Sequence, residues 1–276
     1  MQAPDRPVIG FLTDFGLDGA AATCRGVMLS ICRDVQIVDI SHTIRKYAIT
    51  DGAFVLAAAL PYLPVGHHVS VVDPGVGTAR HPVALRTARG DILVGPDNGL
   101  LLPAADALGG VTDARVIENQ KLWLDSISST FHGRDIFSPV AAHLAAGSAV
   151  LDDVGRSLDV ADLVIADAPT PHVATGRIET PIVYVDSFGN LRLAGGRVEL
   201  EAAFGALAEG ARVHVRIGEN ETLDAAFTPS FGHVPVGSTL LYVDSSGHLA
   251  LADNQADLAH RLGAAPGARV VIERDS

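Results

Sequence analysis

Short apolar runs that end on a polar residue and alternate with helix-like stretches constrain this chain more than anything else in its sequence. Residues 8–13 (VIGFLT) run into Asp14-Phe15-Gly16, an Ala-rich helical stretch follows over 20–32, and 35–40 is the next apolar run. A second helix over 49–60 is closed by Pro61, and 68–72 forms another buried strand. Continuous apolar strands joined by helices are what a parallel sheet covered on both faces requires, because a sheet with one wet face would alternate. A helix over 138–146, stopped by Gly147, carries the pattern further.

The pattern changes near residue 166. Ala166-Asp167-Ala168-Pro169-Thr170-Pro171-His172 has no apolar periodicity and places two prolines close together, which reads as a linker. Beyond it strands dominate, at 178–186, 212–217, 239–244 and 247–252, with short helices near 198–207 and 256–262. No tandem repeat stands out. The expected architecture is an α/β N-terminal domain over 1–165, with a mainly parallel central sheet flanked by helices. A linker over 166–175 and a C-terminal β-barrel-like domain over 176–276 complete it. A chain of 276 residues fills such cores without disulfide or metal staples, and with aromatics at 5% and 28 glycines, small residues do much of the packing. Cys24 and Cys32 match no metal or redox spacing and read as buried thiols in a reducing compartment.

Thirty-two acidic against 20 basic residues give a net charge of −12, which repels phosphate backbones and anionic lipid. Neither nucleic acid nor membrane is an expected partner. Residues 1–7 (MQAPDRP) lack an apolar signal core, and the longest apolar run, 53–63, is broken by Pro61 and is about half the ~20 residues of a membrane span. The expectation is a cytoplasmic globular protein.

Ligands of an open parallel sheet bind beyond the carboxyl ends of its strands, so polar residues just after the apolar runs are the first candidates. Asp14 could cap the next helix or accept hydrogen bonds from a cis-diol, and Asp18 has the same ambiguity. Asp39 and His42 follow the second strand, where a His more commonly serves the scaffold. The segment 71–77 (VVDPGVG) follows the third, and 129–135 (STFHGRD) gathers a His, an Arg and an Asp around one glycine before a helix. Asp97-Asn98-Gly99 is a turn with no chemistry assigned. Asp-Phe-Gly at 14–16 and His-Gly-Arg-Asp at 132–135 stand in the wrong order for a kinase, and Gly75-Val76-Gly77 lacks the third glycine of a dinucleotide loop. His67-His68, His42 and His132 show no metal-ligand spacing, so no metal is expected.

Six strings together resemble one family: Thr13-Asp14-Phe15-Gly16, Asp39-Ile40-Ser41-His42, the 72–80 segment VDPGVGTAR, Gly95-Pro96-Asp97-Asn98-Gly99-Leu100, Thr130-Phe131-His132-Gly133-Arg134-Asp135 and Asp186-Ser187-Phe188-Gly189-Asn190. In this order they resemble the S-adenosyl-L-methionine hydroxide adenosyltransferases, hydrolytic relatives of the fluorinase and chlorinase, from residue 8 to about 253. The resemblance implies a homotrimer, with sites between the first domain of one subunit and the second of its neighbour. It also implies hydrolysis of S-adenosyl-L-methionine to adenosine and L-methionine, with no separate cofactor. The hydrolytic trio falls on Asp73, Arg80 and His132, and the ribose-binding aspartate on Asp14. Asp186 falls at the methionine end, and Phe188 and Asn190 at the adenine end. Tyr47 takes the place of an aromatic that stacks on the nucleoside, and Phe131 and Phe231 belong to the same apolar enclosure. Ser245 and Ser246 match a turn that contacts the methionine amino-acid group, and Asp18 another methionine contact, in a loop one residue shorter here. Leu191-Arg192-Leu193-Ala194 departs from the Thr-Asn-Ile usual after Asn190.

A halogenase on the same scaffold is the nearest alternative. Halogenases carry a tyrosine where Asp73 stands, the fluorinase has a threonine where Val76 stands, and its long insertion after the Arg80 region is missing. A non-catalytic sensor of S-adenosyl-L-methionine or adenosine is the alternative from another class.

Overall fold

The computed structural model describes residues 6–167, 169–218 and 221–274; residues 1–5 of the N-terminal segment and Ala168 of the expected linker lie outside them. The chain divides into two compact units, Met1–Ala166 and Asp167–Ser276.

In chain order the first unit holds β1 (Val8–Thr13), α1 (Ala20–Ile31), β2 (Gln36–Ser41), α2 (Ile49–Ala59), β3 (His67–Val71), β4 (Pro82–Thr87), β5 (Ile92–Pro96), α3 (Leu102–Ala107), β6 (Val111–Val116), α4 (Ser138–Ala145) and β7 (Ser157–Leu158). The sheet order is β2-β1-β3-β5-β4-β6-β7. The strands β2, β1, β3 and β5 run parallel, as the apolar runs require. The remaining pairings, β5 with β4, β4 with β6 and β6 with β7, are antiparallel, so the sheet is mixed. All six residues of β1 are buried. Ile9 and Phe11 share a core with Met28 of α1 and Val140 of α4 on one face. Leu12 joins Leu56 of α2 and Ala104 of α3 on the other. Each such side chain contributes about 1.5–3 kcal/mol when fully withdrawn from water.

The amino end of β3 is sealed by a buried polar cluster. The Gly10 amide donates to His68 Nδ1 at 2.9 Å, and His68 Nε2 meets Asp91 Oδ1 at 3.0 Å. Arg89 adds two donors to Asp91, at 2.7 and 2.9 Å, and the Gly66 amide a third at 3.1 Å. Burial raises the Asp91 carboxyl, but the His68, Arg89 and Gly66 donors outweigh it and hold it well below the usual carboxylate range.

The second unit holds β8 (His172–Ala174), β9 (Arg177–Val185), β10 (Leu191–Gly196), α5 (Arg197–Phe204), β11 (Arg212–Ile217), β12 (Glu221–Phe227), β13 (Thr239–Val243), β14 (His248–Asp253), α6 (Leu258–Leu262) and β15 (Arg269–Arg274). The order β10-β14-β13-β12-β11-β15-β9 is closed by pairing of β9 with β10, giving a seven-stranded barrel with β8 appended to β9. Strand β11 shows the rule that builds it, with Val213, Val215 and Ile217 buried and the residues between them exposed. Strand β8 lies inside the segment expected to be linker. Among the described residues no helix is long and apolar enough to cross a membrane.

Candidate active site

In the first unit the chain leaves β1 for β2 on one side and returns to β3 on the other, which makes the carboxyl ends of β1 and β3 a topological switch point. A cleft of ≈ 240 Å³ opens there, lined by Asp14 and Phe15 after β1, Val71 and Asp73 at the end of β3, and Phe131 and His132. Arg80 closes the loop that Asp73 opens. Its Nε lies 3.0 and 3.1 Å from the two Asp73 oxygens, and its Nη2 donates both to Asp73 Oδ2 and to His132 Nδ1, the latter at 3.1 Å. Side-chain exposure is 10% for Arg80 and 5% for Asp73, so the pair is largely out of water. A guanidinium only donates, so His132 Nδ1 accepts and the ring proton sits on Nε2. Burial, and then the Arg80 charge, lowers the His132 pKa and keeps the ring neutral.

Backbone geometry fixes this trio. Gly77 has φ +76°, and a Cβ there would stand 2.5 Å from the Ser129 carbonyl oxygen, so the 73–81 loop can pass the 124–132 loop only with glycine. Asn98 Nδ2 donates to the Val72 carbonyl at 2.9 Å, tying the turn at 97–99 to the residue before Asp73. His132 immediately precedes a π-helical turn, Gly133–Phe137, that leads into α4. Within that turn Arg134 grips the buried Asp135 at 2.5 and 3.0 Å, and Asp135 receives the Ser128 amide at 2.8 Å. The charged residues that follow His132 therefore brace its loop.

Asp14 does not cap helix α1, whose N-cap is Gly19 and which has no side-chain cap. Instead Asp14 Oδ2 accepts the Tyr47 amide at 2.9 Å, and Tyr47 has φ +66°, a conformation costly for a bulky residue. Tyr47 lines the same cleft, as does Lys46, which nothing in the sequence pattern singled out. The rings of Phe15 and Phe131 meet edge-on with centroids 5.6 Å apart. Asp18 is exposed ahead of α1 and does not line the cleft. His42 serves the scaffold, bridging Thr13 Oγ1 at 2.9 Å and Asp39 Oδ1 at 3.0 Å. Among the described residues no group of three or more His, Cys, Asp or Glu is arranged to hold a metal ion.

The second unit carries its own pocket of ≈ 990 Å³, lined by Asp186, Phe188, Asn190, Phe231 and Ser245 among others. Two turns of the same build border it. Asp186 Oδ1 accepts the amides of Phe188 and Asn190, at 2.9 and 3.0 Å, and Asp244 Oδ1 those of Ser246 and His248, at 2.7 and 3.0 Å. Ser246 does not line the pocket. Arg192 lies between the turns, donating to Asp244 Oδ2 and, at 3.3 Å, to Asp186 Oδ2.

Residues 9–155 match the SAM hydroxide adenosyltransferase N-terminal domain, and residues 180–271 its C-terminal domain. The chain belongs to the SAM hydroxide adenosyltransferase family. Within the family's range, a protein of Salinispora tropica named (R)-S-adenosyl-L-methionine hydrolase is 43% identical over 268 residues, covering 96% of this chain and 97% of that protein. A protein of Actinoplanes sp. named fluorinase is 30% identical, covering 99% of this chain and 100% of its own. A crystal structure of an uncharacterized conserved protein from Thermotoga maritima superimposes with a TM-score of 0.88 at 34% identity, over 96% of this chain and 100% of the other.

Proposed function

We propose that this family member hydrolyses S-adenosyl-L-methionine to adenosine and L-methionine by attack of water at the ribose C5′, acting on the R sulfonium epimer that the Salinispora relative's name specifies. The observation that carries the reading is the hydrogen-bonded chain Asp73–Arg80–His132 at the cleft that also holds Asp14. A sulfonium is already a good leaving group, so no acid is needed at sulfur. The reaction needs a water held in line with the C5′–S bond and relieved of a proton.

In this mechanism Arg80 uses Nε and Nη2 on its partners and turns Nη1 to the water, polarising it. The water oxygen forms the bond to C5′ as the C5′–S bond breaks, and the bonding pair leaves with sulfur, which becomes the neutral thioether of methionine. The displaced water proton passes to Asp73, the one anion of the chain. His132, with Nδ1 filled by Arg80, holds the guanidinium and donates from Nε2. Asp14 accepts from the ribose hydroxyls, Tyr47 and Phe131 enclose the nucleoside, and Phe188, Asn190 and Phe231 take the adenine. Asp186 and Ser245 take the amino-acid end. The working form in this reading is a homotrimer with sites shared between neighbouring subunits.

A halide nucleophile fits poorly beside Asp73, whose carboxylate would repel it. Incubation with S-adenosyl-L-methionine in oxygen-18 water containing chloride tests the proposal. Adenosine labelled at O5′, with methionine in equal amount, is the expected result. Unchanged substrate would favour a sensor, and 5′-chloro-5′-deoxyadenosine a halogenase. Sedimentation with parallel assays tests the assembly, for which an active monomer would be contrary.

A further inference from the structure

Arg192 lies in the segment 191–194 that departs from the family's usual pattern after Asn190, and the barrel turns it outward. Its neighbours Leu191 and Leu193 are fully buried in the barrel interior. Across the strands Arg192 pairs with Ala250, and Ala250 with Tyr242, so the three form one row on the outer face. Arg192 and Tyr242 both line the large pocket, while Ala250 between them is fully buried.

The charged side chains lining that pocket are Asp186, Arg192, Asp244 and Asp253. Asp253 is matched by Arg261, whose Nε and Nη2 lie 2.7 and 3.0 Å from its oxygens. Two carboxylates and one guanidinium remain. Their charges leave one net negative, which suits a ligand with one net positive, as a sulfonium carrying a zwitterionic amino acid has. Arg192 spends one Nη1 and one Nη2 hydrogen on Asp244 and Asp186, and its other three N–H donors meet no described residue. A guanidinium held by two carboxylates and still offering donors is set to receive a third carboxylate in a fixed geometry.

We propose that Arg192 is a specificity-determining residue that recognises the α-carboxylate of the ligand's amino-acid end, so that the pocket selects the aminocarboxylate over the corresponding decarboxylated amine. The hydrolase reading supplies the ligand's identity here, and the proposal rests on it to that extent. Asp186 and Asp244 hold the guanidinium forward and balance its charge. Without Arg192 the same wall would present two uncompensated carboxylates and favour the more cationic amine.

The test compares S-adenosyl-L-methionine with decarboxylated S-adenosylmethionine on the full-length protein. Dissociation constants are measured by calorimetry in a His132→Ala background, alone and with Arg192→Met or Arg192→Lys, and turnover is measured separately in the wild type. The protein with Arg192 is expected to prefer the carboxylated ligand. Arg192→Met should shrink that preference by about tenfold or more, the size of a lost charge-assisted hydrogen bond, and Arg192→Lys should keep part of it. A parallel loss of both ligands, or an unchanged ratio, would overturn the proposal by reducing Arg192 to a structural tie. If Arg192→Met fails to fold, equal or tighter binding of the amine by the protein with Arg192 overturns it, and a preference for the carboxylated ligand that Arg192→Lys reduces supports it. Absence of wild-type turnover with the ligand preference intact would sink the hydrolase reading and leave the Arg192 assignment standing. Failure to bind either ligand would sink both.

Discussion

Asp73 and His132 meet the same guanidinium from two sides, and the mechanism assigns them different tasks. Replacing either with Ala should abolish most turnover while leaving substrate affinity within about tenfold, the mark of lost transition-state stabilisation. Unchanged turnover in both variants would refute the mechanism. The depressed pKa of His132 also fixes the pH response. A protonated ring can no longer accept from Arg80, so kcat/KM should be full at neutral pH and fall only below the ordinary His value of about 6.5. An acid limb at or above that value would contradict the tautomer assigned here. Tyr47 poses a separate test. Its left-handed backbone costs roughly 1 kcal/mol that glycine would not incur. Tyr47→Gly should therefore keep or raise the melting temperature yet weaken adenosine binding, and calorimetry that finds affinity unchanged would remove Tyr47 from the site.

The loop between β3 and β4 shows what a single glycine supports at the level of an element. Gly77→Ala would force both the φ of +76° and the approach to the Ser129 carbonyl. We expect about 1–3 kcal/mol of lost stability from such strain and a larger fractional loss of kcat than of affinity, because Arg80 lies on the displaced loop. Thermal melts and steady-state kinetics on one preparation check this. The elements legible in the sequence are those with unbroken apolar runs: β1, β2 and β3 and the helices between them lie close to where the pattern puts them. Strands β4 and β6 escaped because they pair antiparallel within a sheet the apolar runs suggest is parallel, and β5, parallel to β3 but antiparallel to β4, escaped with them. β10, β12 and β15 escaped in the barrel, where the clear alternation of β11 is not repeated in strands such as Glu221–Phe227. The same limit applies to the site. Strand-end position singled out Asp14 and the segment holding Asp73, but the contact between Arg80 and His132 spans 52 residues and no local spacing encodes it. Lys46 carried no pattern at all, Arg192 stood out only within a segment departing from the family's string, and Asn98 looked like an ordinary turn residue because its partner is a backbone carbonyl 26 residues away.

For the molecule as a whole, one source of acid sensitivity lies at the end of the sheet away from the cleft. Burial, with the neighbouring Arg86 charge, lowers the His67 pKa to about 4. The folded state therefore resists its protonation, and stability should be full above the unfolded value of about 6.5 and decline as the pH falls toward 4, by about 3 kcal/mol at most. Denaturant melts across that range should show the decline in the wild type and a flatter profile in His67→Leu; equal slopes would place the acid sensitivity elsewhere. Asp91 adds no loss there, since its depressed pKa keeps it charged throughout. The two units, finally, have separate hydrophobic cores, one around Phe11 and Phe137 and the other around Leu193 and Val215. The two cores share no residue, which gives descent two separate sets of positions to change. On the proposed assignment, a lineage could exchange one nucleophile for another by rewriting a few positions around Asp73 while the barrel went on holding the same ligand. Relatives named hydrolase and fluorinase that align along almost the full length of one chain are the outcome such independence would leave behind.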